Sequence, residues 1–193
     1  FWDAINPQFS VFVDGKLRQG FDMNHREMLL AERAVAGASY RITLSAFTGD
    51  KNFDLKLDSR FRVLDMETER YFYDLSVPYH VAWLLPDDDD NHIAIIKTIN
   101  DSLNMLDLRK PHSPAYYDSL KVAQAFFTEA FYGRLCGSPS ELIWCVGHTH
   151  IDVAWLWPLA VTRDKAVRSF STVLELMDRY PEYRFMSSQP QLY

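Results

Sequence analysis

From Phe9 the chain alternates apolar and polar positions. In FSVFVDGKL the residues Phe9, Val11 and Val13 share one face of an extended strand, and Asp14-Gly15 is a turn dipeptide. SYRITLSAF repeats the alternation through Tyr40, Ile42, Leu44 and Ala46, with Gly49-Asp50 as the next turn. Phe53, Leu55, Leu57, Phe61, Val63 and Tyr71 continue it and predict further short strands to about Val77, a rhythm expected of an antiparallel sheet or part of a β-sandwich. The period then changes. After Pro86 and the run Asp87–Asp90, the residues His92, Ile96, Ile99, Leu103 and Leu106 recur at helical spacing. KPHSP breaks that helix, and Tyr116, Leu120, Ala123, Phe127 and Ala130 mark a second one ending near Gly133. From Gly137 the period changes again: ELIWCVG reads as a strand buried on both faces, Thr162–Tyr180 as a helix with Val167, Phe170, Leu174 and Met177 on its stripe, and YRFMSS as a second strand. Strand, helix, strand is a βαβ unit.

The expected fold class is therefore an α+β multidomain chain. A β-rich, sandwich-like N-terminal region spans 1–77, and a helical linker region with an antiparallel helix pair spans 78–136. The start of a truncated α/β domain spans 137–193. Composition agrees with folded structure: 48% of residues are hydrophobic and 24% charged, too apolar for disorder. A formal net charge of −6 disfavours nucleic acid and anionic membrane surfaces, and no apolar run approaches the ~18 residues of a bilayer span. Cys136 and Cys145 provide no disulfide framework and read as small apolar residues in a reducing, cytoplasmic setting. The chain opens without Met or a signal-peptide pattern and stops soon after a strand, which reads as a piece of a longer protein. Such a piece exposes apolar surface, so self-association into homo-oligomers is among its expected behaviours.

The chemistry concentrates in WCVGHTHIDVAWLW, where His148, His150 and Asp152 sit two apart at the end of the buried strand. Parallel α/β folds bind ligands at the carboxyl ends of their strands. An extended backbone from 148 to 152 aims all three side chains one way, and two imidazoles with a carboxylate are a good start to a zinc site. The plainer reading has one or two of them satisfying hydrogen bonds at a strand end. Metallo-β-lactamase-like hydrolases carry H-x-H-x-D followed at once by a second His, but Val153 stands there in this chain. Amidohydrolases use H-x-H on a first barrel strand, without any demand for the aspartate or the tryptophans.

The stretch from about Ile143 to Tyr193, including GHTHIDVAWLW and SSQPQLY, resembles the opening of the catalytic domain of glycoside hydrolase family 38 α-mannosidases. FVDGKLRQGFDMNHREMLL is similar to the β-rich region that precedes that domain in the cytosolic and bacterial branch. The resemblance implies a retaining, zinc-dependent hydrolase of terminal α-mannosidic bonds in glycans or oligosaccharides, with one Zn2+ per site. It implies His150 and Asp152 as two of the metal ligands and His148 as a neighbour supporting them by hydrogen bonding. It implies Trp155 as the surface on which a mannose packs. The nucleophile, the acid/base carboxylate and the remaining ligands are expected beyond Tyr193, so no catalytic carboxylate lies within this chain. On its own it is expected to bind zinc weakly and to hydrolyse nothing. The rival class is a non-catalytic carbohydrate-binding or assembly module.

Other candidates have plainer readings. The four aspartates suit a helix first turn better than a calcium loop. Asp22–Glu27 (DMNHRE) reads as a hydrogen-bonded turn, Thr162 as a helix N-cap followed by Arg163 and Asp164, His112 as a loop residue, and His80 with Tyr79 and Trp83 as linker packing. Trp157 reads as core.

Overall fold

The computed structural model describes residues 8–22, 24–47, 57–138 and 141–193. They fall into two compact units, residues 1–56 with 143–193, and residues 57–142.

In the first unit, β1 (Gln8–Val13) is the central strand of an antiparallel sheet, between β2 (Lys16–Phe21) and β3 (Ile42–Phe47). Asp14 and Gly15 both take positive φ, 50° and 80°, as the two-residue primed hairpin turn requires. Val11 is fully buried and lies opposite Gln19, whose buried amide donates to the Glu27 carbonyl at 2.9 Å. Between the pairs Val11↔Gln19 and Phe12↔Leu17 the register shifts, leaving Arg18 unpaired as a bulge. The βαβ unit follows as β4 (Gly147–His148), α4 (Leu159–Arg179) and β5 (Phe185–Met186), with β4 and β5 parallel.

Helix α4 covers the free edge of β2. The Thr172 hydroxyl accepts from the Gly20 N–H (3.1 Å) and stands 3.2 Å from the Gly20 carbonyl, so a side chain replaces the missing neighbour strand. Glu175 accepts from the bulged Arg18 at 3.3 Å. The approach is so close that a Cβ on Gly20 would lie 2.6 Å from Arg168 Cβ and 2.8 Å from its Cα. Because backbone must move to admit a methyl there, Gly20→Ala is expected to destabilise this unit by about 1–3 kcal/mol. Urea denaturation checks it, and an unchanged midpoint would contradict the contact.

The face α4 buries is not the one its apolar stripe predicts. Val161, Thr162, Ala166, Arg168, Ser171 and Thr172 are buried, whereas Val167, Leu174 and Met177 are exposed. The small and polar face fits closely over a strand edge, where long apolar side chains would hold the elements apart. Phe170 alone of the stripe finds aromatic neighbours, Phe185 and Tyr193.

The second unit is helical: α1 (Met66–Ala82), α2 (Asp90–Leu103) and α3 (Pro114–Phe127), which continues as a π-helix over Thr128–Leu135. The expected strands up to Val77 are absent among the described residues. Leu57, Phe61 and Val63 are exposed and unpaired, α1 takes Met66–Ala82, and Phe53 and Leu55 lie outside the described residues. Helix wins because Tyr71, Leu75, Pro78 and Ala82 recur on one buried face, and because Asp65 caps the first turn. Pro78 lacks the N–H that would satisfy the Asp74 carbonyl, and the Tyr132 hydroxyl donates to that carbonyl instead at 3.3 Å. There are thus three helices where a pair was expected. The sandwich is not seen either, since the described residues hold one antiparallel sheet and no second layer upon it.

The aspartate run acts as a helix start: Asp89 caps α2, accepting from the N–H groups of Asn91 and His92, with Asp90 in the first turn. Asp65 holds a denser network. Burial works to raise its carboxyl pKa, but bonds from the Thr68 hydroxyl and N–H, Tyr117 and His112 together lower it to about 2, from 3.8. The folded unit therefore holds this proton less tightly than the unfolded chain. The stability it contributes is complete above about pH 4 and is lost as pH falls through about 2. Asp65→Asn is expected to flatten the acid limb of a stability-against-pH curve over that window, and an unchanged limb would show that the network carries little.

Candidate active-site turn

The strand leading to the site is shorter than ELIWCVG suggests. Only Gly147 and His148 pair, with Phe185 and Met186, and the preceding Leu142, Ile143, Trp144 and Val146 are exposed. A strand buried on both faces needs neighbours on both sides and a layer above and below. Among the described residues β4 has one neighbour, β5. The Tyr183 hydroxyl occupies the space a Cβ on residue 147 would take, so glycine lets these segments close.

Past His148 the chain turns, and the three polar side chains separate. His148 Nε2 lies 3.0 Å from the Ser188 hydroxyl, beside β5. His150 and Asp152 turn toward each other, with Nε2 to Oδ1 at 3.1 Å, and their side chains are 71% and 39% exposed. Ile151 between them points inward and is 4% exposed. The alternation in exposure thus runs from His148 through Asp152, with Thr149 and Ile151 less exposed than the histidines beside them, but His148 bonds Ser188 while His150 and Asp152 bond each other.

Three further residues hold this turn. The Gln189 side chain is bonded to both polar groups of the Ile151 backbone, accepting from its N–H at 3.1 Å and donating to its carbonyl at 2.8 Å. The buried Thr162 hydroxyl donates to the Asp152 carbonyl at 2.9 Å and accepts from Trp157 Nε1 at 2.9 Å. Thr162 is therefore not the helix N-cap. That position is Pro158, and Thr162 is a clamp from the first turn of α4. Trp157 is half-buried, with Lys165 Nζ 4.6 Å from its ring centroid, and its ring meets Trp155 edge-on at 5.6 Å. Trp155 remains exposed. The clamping roles of Gln189 and Thr162 are not visible in the sequence because a glutamine in SSQPQ or a threonine at a helix start carries no spacing signal for them. Only folding brings them to residues 151 and 152.

The donor set suits a metal in part. Two ligands about 2.0–2.1 Å from a tetrahedral zinc stand about 3.3 Å apart, close to the 3.1 Å between His150 Nε2 and Asp152 Oδ1. Among the described residues no group of three His, Cys, Asp or Glu gathers to hold an ion.

Residues 141–193 match the model of the glycosyl hydrolases family 38 N-terminal domain. The chain belongs to glycosyl hydrolase family 38. Human alpha-mannosidase 2C1 is 32% identical over 162 residues, covering 84% of this chain and 15% of that protein. Alpha-mannosidase G of Dictyostelium discoideum is 30% identical over 144 residues, 75% of this chain and 13% of its own length. An alpha-mannosidase of Saccharomyces cerevisiae is 57% identical over 49 residues, 25% of this chain and 4% of that protein. The chain thus spans about a seventh of the first two relatives. The two long alignments are too long to lie within the family segment, so the likeness reaches into the residues before it.

The remaining candidates have structural roles. The Asp22 carboxylate accepts from the N–H groups of Asn24 and His25 and meets the His25 ring at 3.0 Å. Burial works to raise its pKa, but these bonds hold it below the ordinary value, as in a closed turn. His112, at φ 61°, bonds Asp65 through Nδ1 at 3.0 Å, and His80 lies against Tyr79 and Trp83. Among the described residues no helix is long and apolar enough to cross a membrane.

Proposed function

We propose that this chain supplies part of the active site of a retaining, zinc-dependent α-mannosidase that removes terminal mannose from glycans. The observation that carries the reading is the convergence of His150 and Asp152 at 3.1 Å within the segment matching family 38. In this reading His150 Nε2 and Asp152 Oδ1 hold one Zn2+, and the exposed pair leaves room for ligands from the rest of a longer polypeptide. His148, beside Ser188, borders the site without binding the ion. When bound, zinc engages sugar hydroxyls and favours distortion of the ring toward an oxocarbenium-like state.

The chain's own residues prepare the rest. Trp155 offers an apolar ring face to the C–H patch of a pyranose, and Trp157, tied to Thr162, fixes its edge. Thr162 holds the Asp152 carbonyl, so the carboxylate and the sugar platform hang from one hydroxyl. The two carboxyl groups of a double displacement come from outside these residues. No membrane or nucleic-acid partner enters this reading, and its setting is cytoplasmic.

The test is hydrolysis of an aryl α-mannoside by the full-length polypeptide. Activity should disappear on chelation and return with Zn2+. Cleavage of esters or amides with no action on mannosides would point to a lactamase-type or amidohydrolase reaction. Glycan binding indifferent to chelator would point to a non-catalytic module.

A further inference from the structure

The SSQPQLY segment joins β5 to a short 3-10 helix over Pro190–Leu192. We propose that Gln189 within it is a positioning residue that sets the bite of the His150–Asp152 pair, an inference resting on the zinc reading above. Its amide does for Ile151 what a paired strand residue would do: it accepts from the N–H and donates to the carbonyl, at 3.1 and 2.8 Å. These are the two polar groups of the one residue between the ligands. Holding both fixes the peptide planes on either side of Ile151, and with them the Cα positions from which His150 and Asp152 project. The Ile151 side chain is buried, so the turn is gripped from inside as well as through its backbone.

Gln189 is itself prepared for this task. It precedes Pro190, which disfavours the helical region for residue 189, and its backbone sits at φ −121°, ψ 83°. The chain is thereby kept extended up to the residue that clamps, and Ser188 beside it meets His148. Two consecutive residues thus hold His148 and Ile151, the first and fourth positions of the H-x-H-x-D turn. Oε1 and Nε2 of Gln189 are both engaged by the Ile151 backbone. The role is exerted through the ligands, as outer partners of metal sites act.

The experiment uses the full-length polypeptide, with zinc affinity read by competition against a chromophoric chelator and site geometry read from the visible absorption of the Co2+-substituted protein. Gln189→Leu is expected to weaken zinc binding about 10- to 100-fold and to change the cobalt spectrum. A purely structural defect would lower the melting temperature without altering that spectrum. Gln189→Glu keeps the acceptor for the Ile151 N–H but sets a carboxylate against its carbonyl, and it decides the matter by the same two readings if the leucine variant does not fold. Unchanged affinity and spectrum in these variants, alongside loss of zinc in His150→Ala, would overturn the clamp alone. Retention of zinc by His150→Ala would overturn the metal reading and the clamp with it.

Discussion

Replacing Asp152 by alanine in the full-length polypeptide is expected to lower zinc affinity by more than about 100-fold and to remove measurable mannosidase activity. The bound follows from comparison: loss of an outer partner of a metal ligand typically costs about 10- to 100-fold, and loss of the ligand itself must cost more. The fold should barely respond. The Asp152 side chain is 39% exposed and, among the described residues, bonds an exposed imidazole at 3.1 Å, a surface pair worth about 0–1 kcal/mol. The bond that secures the turn runs from Thr162 to the Asp152 backbone carbonyl, which alanine retains. Chelator competition, aryl α-mannoside kinetics and a thermal melt on one preparation separate the two effects. A variant that keeps zinc and rate would end the assignment of Asp152, and one that unfolds would contradict its placement on the surface.

The features readable from the chain were those with a strong local cause. Asp14-Gly15 forces positive φ at two successive positions, and the hairpin follows. Ser113 and Pro114 start α3, and Tyr116, Leu120, Ala123 and Phe127 are its buried face, as their spacing predicts. H-x-H-x-D marked a cluster of polar side chains at a strand end, and the structure brings two of the three together. Long-range contacts decided the rest. Met66–Ala82 is rich in aromatic and β-branched residues and holds a proline, all of which argue locally against helix. Burial of one helical face and a tyrosine hydroxyl from 58 residues away reverse that preference. The α4 stripe misled for the complementary reason. Hydrophobic periodicity says which face can be buried, whereas β2 accepts the face that carries Arg168 and Thr172, where Gly20 permits close backbone contact. Trp144 makes the same point in the site region, since a large apolar residue stays 83% exposed when no layer covers it.

The largest effect on stability is expected at Phe127. Its ring is 1% exposed, at the junction where α3 passes into the π-helix. The wider turn brings Phe131 directly over it, with centroids 5.1 Å apart and planes inclined by 9°, while Tyr132 meets its edge at 6.0 Å. Cys136 closes the segment by donating to the Phe131 carbonyl five residues back at 2.9 Å. Tyr132 in turn satisfies the carbonyl that Pro78 orphans in α1. Phe127→Ala would thus empty the centre of the helical core and release the aromatic pair that fixes the π-helix, at a cost of about 3–5 kcal/mol. For a unit of this size that is a drop of roughly 15–30 °C in melting temperature. Small domains are stable by about 5–15 kcal/mol in total, so the variant should lose a large share of the stability of this unit. Phe127→Leu keeps most of the volume and should retain a large part of the stability, which distinguishes loss of packing from loss of stacking. Urea denaturation followed by circular dichroism measures both variants. A loss below about 1 kcal/mol for Phe127→Ala would mean that the core closes around the gap and that the π-helix does not depend on the stacked rings.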